Sequence, residues 1–283
     1  MRADGGPGAA RSGKGPERPR RVPTSPERAP LPAAADRLPP LPDPARTSLA
    51  RGLASLGLAD LPDEARIGLE DHLRLLLAWT AAINLTAIRD PEAAVAAHLL
   101  DSLAAVPVLR DAGVDAFVDL GSGGGYPGIP LALAIPARRA LLVDSIAKKA
   151  RFLSTAVAAV GLAGRVEVAA ARVEKLARDP GRRVAWPAVT ARAVADLADL
   201  VELAFPLLAP GGLLVAWKRG DPTGERARAL PAIAALGGGR LDIVAAGPAA
   251  PAGHVLVVVR KTGRTAAAWP RPPAERRRRP WRG

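Results

Sequence analysis

The sequence predicts an α/β fold in which a small helical cap precedes a seven-stranded, mostly parallel sheet. From residue 114 onward, seven short apolar runs alternate with other segments, and the first five runs are separated by stretches long enough for crossover helices. Parallel strands require such crossovers. The last two runs, "LDIVAA" and "HVLVVVRK", are joined by a loop too short for a helix. We therefore expect the final strand to pair antiparallel.

Composition divides the chain into four segments. Residues 1–47 contain eleven prolines and little apolar periodicity, which predicts a disordered extension rich in proline and arginine. Residues 48–112 predict the helical cap, because leucines recur at helical spacing after an acidic first turn. Residues 113–262 hold the predicted strands, and residues 263–283 form a basic C-terminal tail.

The formal net charge of +13 lies mainly at the two ends of the chain. Residues 1–48 carry +4 and residues 260–283 carry +8, whereas residues 49–259 are nearly neutral at +1. Basic ends are typical of nucleic-acid binding, and a compositional bias toward arginine is the alternative. In the tail, "ERRRRPWRG" places arginines beside a tryptophan, which suits phosphate contact and base stacking. A solvated extension without function is the alternative there.

Several classes of protein and site are excluded by what the sequence lacks. The chain has no cysteine, which excludes disulfides, thiolate metal sites and cysteine nucleophiles. Its start has no apolar leader segment, and an uninterrupted run of about 18 apolar residues does not occur. These features predict a cytoplasmic protein that does not enter the membrane. His72 and His254 have no carboxylate or histidine neighbours at metal spacing, so we expect no metal site.

A glycine-rich turn, "FVDLGSGGGYPGIP" at residues 117–130, follows the first predicted strand. Its letters satisfy both the G-x-G-x-x-G of a dinucleotide site and the D-x-G-x-G-x-G of an S-adenosylmethionine site. In either case, glycines such as Gly121 and Gly123 let the backbone pass close to a ligand. Asp144, which ends the second predicted strand, would reach ribose hydroxyls in both cases and does not discriminate.

The rest of the chain favours S-adenosyl-L-methionine over a dinucleotide. The second mononucleotide half that a nicotinamide would need is not evident in the sequence. The segment "LLAPGGLLVAWK" is the usual approach to the fifth strand in S-adenosylmethionine-dependent methyltransferases. The predicted fold class is therefore a Rossmann-like class I methyltransferase with an antiparallel last strand, and the predicted cofactor is S-adenosyl-L-methionine.

Six motifs in order make the chain resemble the GidB/RsmG family of bacterial methyltransferases. They are "NLTAIRDPEAAVAAHLLDSLA", "FVDLGSGGGYPGIPLALA", "LLVDSIAKKARFL", "ARVEKL", "TARAVADL" and "AWKRG", and together they cover roughly residues 49–262. The resemblance implies an rRNA (guanine-N7)-methyltransferase that acts on 16S ribosomal RNA of the small ribosomal subunit, near the decoding region. It also implies S-adenosylmethionine as the methyl donor.

The predicted cofactor residues come from the turn and from this resemblance. They are Gly121, Gly123, Tyr126, Asp144, Val173, Glu174 and Arg192. Three of them have ordinary structural alternatives. Val173 can be a core residue, while Glu174 and Arg192 can form local ion pairs with the oppositely charged side chain four positions later in the chain.

The cap and the end of the fifth strand contribute the predicted substrate residues. Asn84, His98 and Asp101 would face the mouth of the site if the cap folds over the sheet, and Lys218 follows the fifth strand. The alternative is that Asn84 caps a turn and that His98 and Asp101 form a helical i,i+3 pair.

The sequence offers no obvious acid–base pair, so no catalytic residue is assigned. Guanine N7 carries a lone pair and no proton, and positioning it in line with the sulfonium methyl requires no general base. A small-molecule methyltransferase would share the whole cofactor half, and a non-catalytic RNA-binding ribosome-assembly factor is a further alternative. We expect a monomer.

Overall fold

A computed structural model describes residues 30–281, and within this range seven strands form one sheet in the order β3-β2-β1-β4-β5-β7-β6. The strands are β1 (Ala116–Leu120), β2 (Arg139–Asp144), β3 (Val166–Ala170), β4 (Trp186–Arg192), β5 (Leu208–Arg219), β6 (Gly239–Ala245) and β7 (His254–Lys261). The first five strands pair in parallel, and β7 lies antiparallel between β5 and β6. The predicted sheet, including its antiparallel last strand, is confirmed.

Helices cover both faces of the sheet, as parallel strands require. The helices that link or follow strands are α6 (Gly128–Ala134), α7 (Ala147–Ala159), α8 (Val173–Leu176), α9 (Leu197–Ala204) and α10 (Thr223–Ala235). Side chains of α6 and α7 pack with the cap on one face, and side chains of α8, α9 and α10 pack on the other.

The cap is helical and shares a hydrophobic core with the sheet. It comprises α1 (Asp43–Ser55), α2 (Asp63–Thr80), α3 (Pro91–Ala94), a π-helical stretch (Val95–Leu100), α4 (Asp101–Leu103) and α5 (Val106–Asp111). Trp79 of α2 meets Phe152 of α7 edge to face, with 5.4 Å between ring centroids. The leucines that predicted α2 by their spacing, such as Leu69 and Leu73, are fully buried in this core.

The segment Pro91–Asp111 is long and apolar enough to cross a membrane by length and composition alone. In the folded chain, 61% of its most apolar window is buried. Val95, Leu99 and Leu103 pack in the core shared by the cap and the sheet. Its apolar character is therefore accounted for by core packing.

Order begins earlier than the sequence predicts. The predicted disordered extension runs to residue 47, but α1 already begins at Asp43, and Ala35 and Leu41 are buried. The Trp79 indole donates to the Pro32 carbonyl at 2.7 Å, which ties this segment to α2. The few apolar residues here pack without any regular spacing, so periodicity could not reveal them. The remainder of that prediction, residues 1–29, lies outside the described residues.

Candidate functional site

A cavity of about 350 Å³ opens at the carboxyl ends of β1 to β4. Gly121 follows β1, Asp144 ends β2, Glu174 follows β3, and residues 193–195 follow β4, and all of these positions line the cavity. Ligands of open α/β sheets bind at this edge, and the volume is within the range of small-molecule sites. The topology thus brings together four predicted cofactor residues, the fourth being Val173.

The Asp144 carboxylate is held in place by the backbone around it. Its Oδ2 accepts from the Gly123 amide at 3.0 Å, and its Oδ1 accepts from the Ile146 amide at 2.8 Å. Each carboxylate oxygen can accept a further hydrogen bond. A buried but cavity-lining carboxylate of this kind is suited to receive two neighbouring hydroxyl groups. Gly123 therefore contributes by positioning Asp144, and it is not itself a lining residue.

Glycine is needed at Gly121 for both conformation and space. Its φ is +66°, and an added Cβ would lie 2.8 Å from Cγ2 of Val194, which lines the same cavity. The neighbouring glycines serve another purpose. A Cβ on Gly124 would lie 2.6 Å from Leu76, and one on Gly125 would lie 2.7 Å from His72, and both contacts belong to the cap helix α2. The sequence interpretation, which attributed the turn's glycines to the ligand alone, misses this packing role.

Glu174 is paired across the chain and not along its helix. Its Oε1 accepts from the Arg276 guanidinium at 2.6 Å, and Arg172 lies 4.0 Å from its Oε2. Burial alone would raise the pKa of Glu174, but hydrogen bonds from its own backbone and from Arg276 outweigh burial and lower it. The alternative of a local pair with Arg178 is wrong, because Arg178 donates to the Pro270 carbonyl.

Arg192 joins the sheet to the cap. Its Nη1 donates to Oδ2 of Asp101 at 2.9 Å and to the Ala97 carbonyl at 2.8 Å. The other oxygen of Asp101 accepts from Nδ1 of His254 at 2.9 Å, so this carboxylate, 1% exposed, is shared by two partners. The alternative that pairs Arg192 with Asp196 is wrong: Asp196 pairs with Arg228 in α10.

An aromatic stack continues this network. Tyr126 lies between His98 and His72, with ring centroids 5.0 and 4.4 Å away. Its hydroxyl is buried without a hydrogen-bond partner among the described residues. Tyr126 and Arg192 thus lie next to the cap and, like Gly123, are not among the residues that line the cavity, in contrast to Gly121, Asp144, Val173 and Glu174.

His98 is held neutral in one tautomer. Burial, and then the charge of Arg192, lower its pKa to about 4. Arg192 lies 3.5 Å from Nδ1, which must accept, so Nε2 carries the proton and donates to Thr86 Oγ1 at 2.8 Å. Burial lowers the pKa of His72 to about 3, and its Nε2 lies 2.8 Å from the Gly124 carbonyl, to which it donates.

The two other predicted substrate residues, Asn84 and Lys218, lie in different places. Asn84 is exposed in the loop after α2. Lys218 pairs with Glu225 at 2.5 Å and donates to the Ala195 carbonyl at 3.0 Å, so it supports the loop after β4 that lines the cavity. From the sequence, Arg276 belongs to the basic tail and His254 has no metal role, and neither residue is predicted at this site, because their partners are distant in the chain.

The comparisons with known proteins assign the chain to a family. The family model for GidB, described as rRNA small subunit methyltransferase G, matches residues 67–247. The chain belongs to the GidB family. Curated GidB relatives agree: a ribosomal RNA small subunit methyltransferase G from Roseiflexus sp. (strain RS-1) is 42% identical over 72% of this chain and 87% of the relative. Its counterpart from Stenotrophomonas maltophilia (strain K279a) is 46% identical over 68% of this chain and 85% of the relative.

Solved structures agree at the level of the fold. An O-methyltransferase from Bacillus cereus, in complex with SAH, superposes with a TM-score of 0.50 at 19% identity, covering 77% of this chain and all of that one. The predicted Rossmann-like methyltransferase fold is confirmed. Membership of the GidB family also confirms the predicted enzyme class and its dependence on S-adenosylmethionine.

Proposed function

We propose that this GidB chain transfers the methyl group of S-adenosylmethionine to N7 of a guanine in 16S ribosomal RNA, near the decoding region of the small ribosomal subunit. The observation that carries the proposal is the cavity at the strand ends, where a glycine, an ordered carboxylate and a second acidic residue meet in the sequence positions of the family motifs. We further propose that the protein acts in the cytoplasm and as a monomer.

The residues present fit S-adenosylmethionine. The fixed carboxylate of Asp144 can accept both ribose hydroxyls, and Val173 and Glu174 offer an apolar surface and an acceptor for adenine. Gly121 leaves room beside Val194 for the methionine portion. When bound, the cofactor supplies an electrophilic methyl group on a sulfonium.

The chain's own contribution to catalysis is positioning. N7 of guanine is already nucleophilic, so the protein needs only to hold it in line with the methyl group, an effect worth roughly 7–11 kcal/mol. Arg192 and Asp101 fix the cap against the strand end next to the cavity, which gives the incoming base a defined surface. His98 is neutral at neutral pH and its single N–H is donated to Thr86, so it does not act as a general acid, in line with a reaction that needs none.

Gly121→Ala tests the proposal, and Gly113→Ala is its matched control. Both glycines have positive φ, +66° and +62°, so alanine should strain either backbone by about 1–2 kcal/mol. Only position 121 adjoins the cavity, whereas a Cβ at position 113 meets nothing within 4 Å. Calorimetry should show cofactor binding weakened at least about tenfold in Gly121→Ala alone, which is about 1.4 kcal/mol.

Methylation of small ribosomal subunits from a deletion strain, with the modified base mapped, then tests the substrate. We expect 7-methylguanine in 16S RNA from the wild-type protein and from Gly113→Ala, and a large loss with Gly121→Ala. Full complementation by a variant that no longer binds cofactor would instead indicate a non-catalytic assembly factor. Cofactor binding with no RNA methylation would indicate a small-molecule substrate.

A further inference from the structure

The C-terminal segment 269–281 is docked on the cofactor domain by a buried carboxylate. Glu202 of α9 is fully buried and accepts from the Arg271 backbone amide at 2.8 Å and from its guanidinium at 2.5 Å. The Trp281 indole donates to the same carboxylate at 2.8 Å. Between these anchors lies a short helix, α11 (Pro273–Arg278).

Aromatic contacts complete this anchor. The Arg271 guanidinium lies 5.1 Å from the Trp269 ring centroid and 4.9 Å from that of Trp281, and the two indoles stack at 5.5 Å. Cation–π contacts of this kind stabilise a docked arginine. Trp281, which the sequence suggested for base stacking, therefore packs within the chain, against Arg271 and Trp269.

The docked helix brings one arginine to the cofactor cavity. Arg276 lines the cavity beside Val173 and Glu174, and its Nη2 donates to Oε1 of Glu174 at 2.6 Å. The two side chains are 13% and 10% exposed, so the pair is largely shielded from water. Among the described residues, Arg172 lies 4.0 Å from Oε2 of Glu174, and this oxygen has the capacity to accept another hydrogen bond.

We propose that Arg276 is a positioning residue for cofactor recognition: it holds Oε1 of Glu174, so that Oε2 is oriented to accept from the 6-amino group of adenine. The proposal rests on the proposed function, because it takes adenine to lie beside Glu174. A purine with a 6-oxo group would direct an acceptor at this carboxylate, and an unpaired buried polar contact is unfavourable. The C-terminal tail thereby sets a preference for adenine over hypoxanthine.

The test measures binding of S-adenosylhomocysteine and its 6-oxo analogue, S-inosylhomocysteine, to the full-length protein by calorimetry. The variants are Arg276→Ala, the conservative Arg276→Lys, and Arg278→Ala as a control that removes the same charge from an exposed position of the same helix. None of the three variants changes Glu202, Arg271 or Trp281, which form the anchor, and unfolding midpoints check that each variant folds.

We expect the wild-type protein to prefer the adenine compound at least about tenfold, and Arg278→Ala to keep that preference. Arg276→Ala should lose most of it, by weaker binding of the adenine compound, and Arg276→Lys should keep part. An equal preference for the adenine compound in Arg276→Ala and Arg278→Ala would overturn the proposal. Tighter cofactor binding by Arg276→Ala would also overturn it, because it would mean that the arginine side chain blocks the cavity. A wild-type protein that binds neither compound would overturn the proposed function itself.

Discussion

Glu202→Gln should destabilise the whole protein by releasing its C-terminal segment. The carboxylate is fully buried and compensates the positive charge of Arg271, whose side chain is 14% exposed. Glutamine keeps the shape of the side chain, but its amide nitrogen cannot accept a hydrogen bond. Only one of its two terminal atoms can therefore accept from Arg271 and Trp281. The substitution removes the carboxylate that pairs with this largely buried guanidinium.

The expected magnitude follows from this burial. Breaking a buried ion pair by removing one partner costs about 3–5 kcal/mol, whereas an exposed pair contributes about 0–1 kcal/mol. Because Arg271 retains some contact with water, we expect a loss of about 3 kcal/mol in the free energy of unfolding. Glu167→Gln is the matched control, since its carboxylate is 53% exposed and pairs with Arg182 at the surface.

Urea unfolding of the wild-type protein and the two variants measures both effects. Proteolysis should also cut the C-terminal segment of Glu202→Gln earlier than that of Glu167→Gln. A Glu202→Gln protein within about 0.5 kcal/mol of the control would refute the reasoning, because it would mean that the segment is not held by this carboxylate.

Two further predictions concern the network between cap and sheet. The free energy of unfolding should fall in acid, because the pKa of His98 is lowered to about 4 in the folded chain. Below about pH 6.5 the unfolded chain takes up a proton at this histidine and the folded chain does not. The free energy of unfolding should therefore decrease by about 3 kcal/mol as the pH falls from 6.5 to 4. His98→Gln removes this titrating group, so the difference between the stability–pH profiles of the wild-type protein and the variant gives the contribution of His98. Parallel profiles would contradict the lowered pKa of His98. Asp101→Asn removes the counter-charge of Arg192 and should lower the unfolding free energy by about 2–3 kcal/mol. It should also speed hydrogen exchange in the segment Val95–Leu100. Unchanged exchange in that segment would contradict the role given to Asp101.

The sheet and most of the cavity could be predicted because their signals are local. Each strand is an apolar run, and Gly121, Asp144 and Glu174 each follow or end such a run, so the topology of a parallel sheet brings them to one edge. These motifs can be recognised without knowing which residues far apart in the chain contact each other.

The charged contacts could not be predicted because their partners are far apart in the chain. Local spacing offers Asp196 as a partner for Arg192, but the structure pairs Arg192 with Asp101, 91 residues earlier. Glu174 likewise pairs with Arg276, 102 residues later. A long polar side chain at a buried position must find a counter-charge, and which one it finds depends on how cap and tail dock, not on helical spacing.

The loop after β4 links these docked elements to the cofactor cavity. Ala193 has a φ of +57°, a conformation that costs a residue with a Cβ on the order of 1 kcal/mol and that persists only where the surroundings hold it. Those surroundings are Arg192, which is bound to the cap, and Lys218, which donates to the Ala195 carbonyl. Because residues 193–195 line the cavity, the shape of the cofactor site depends on contacts made outside it. The loop after β4 therefore connects the cap to the cofactor cavity, and we expect a change in how the cap is docked to alter the shape of the cavity.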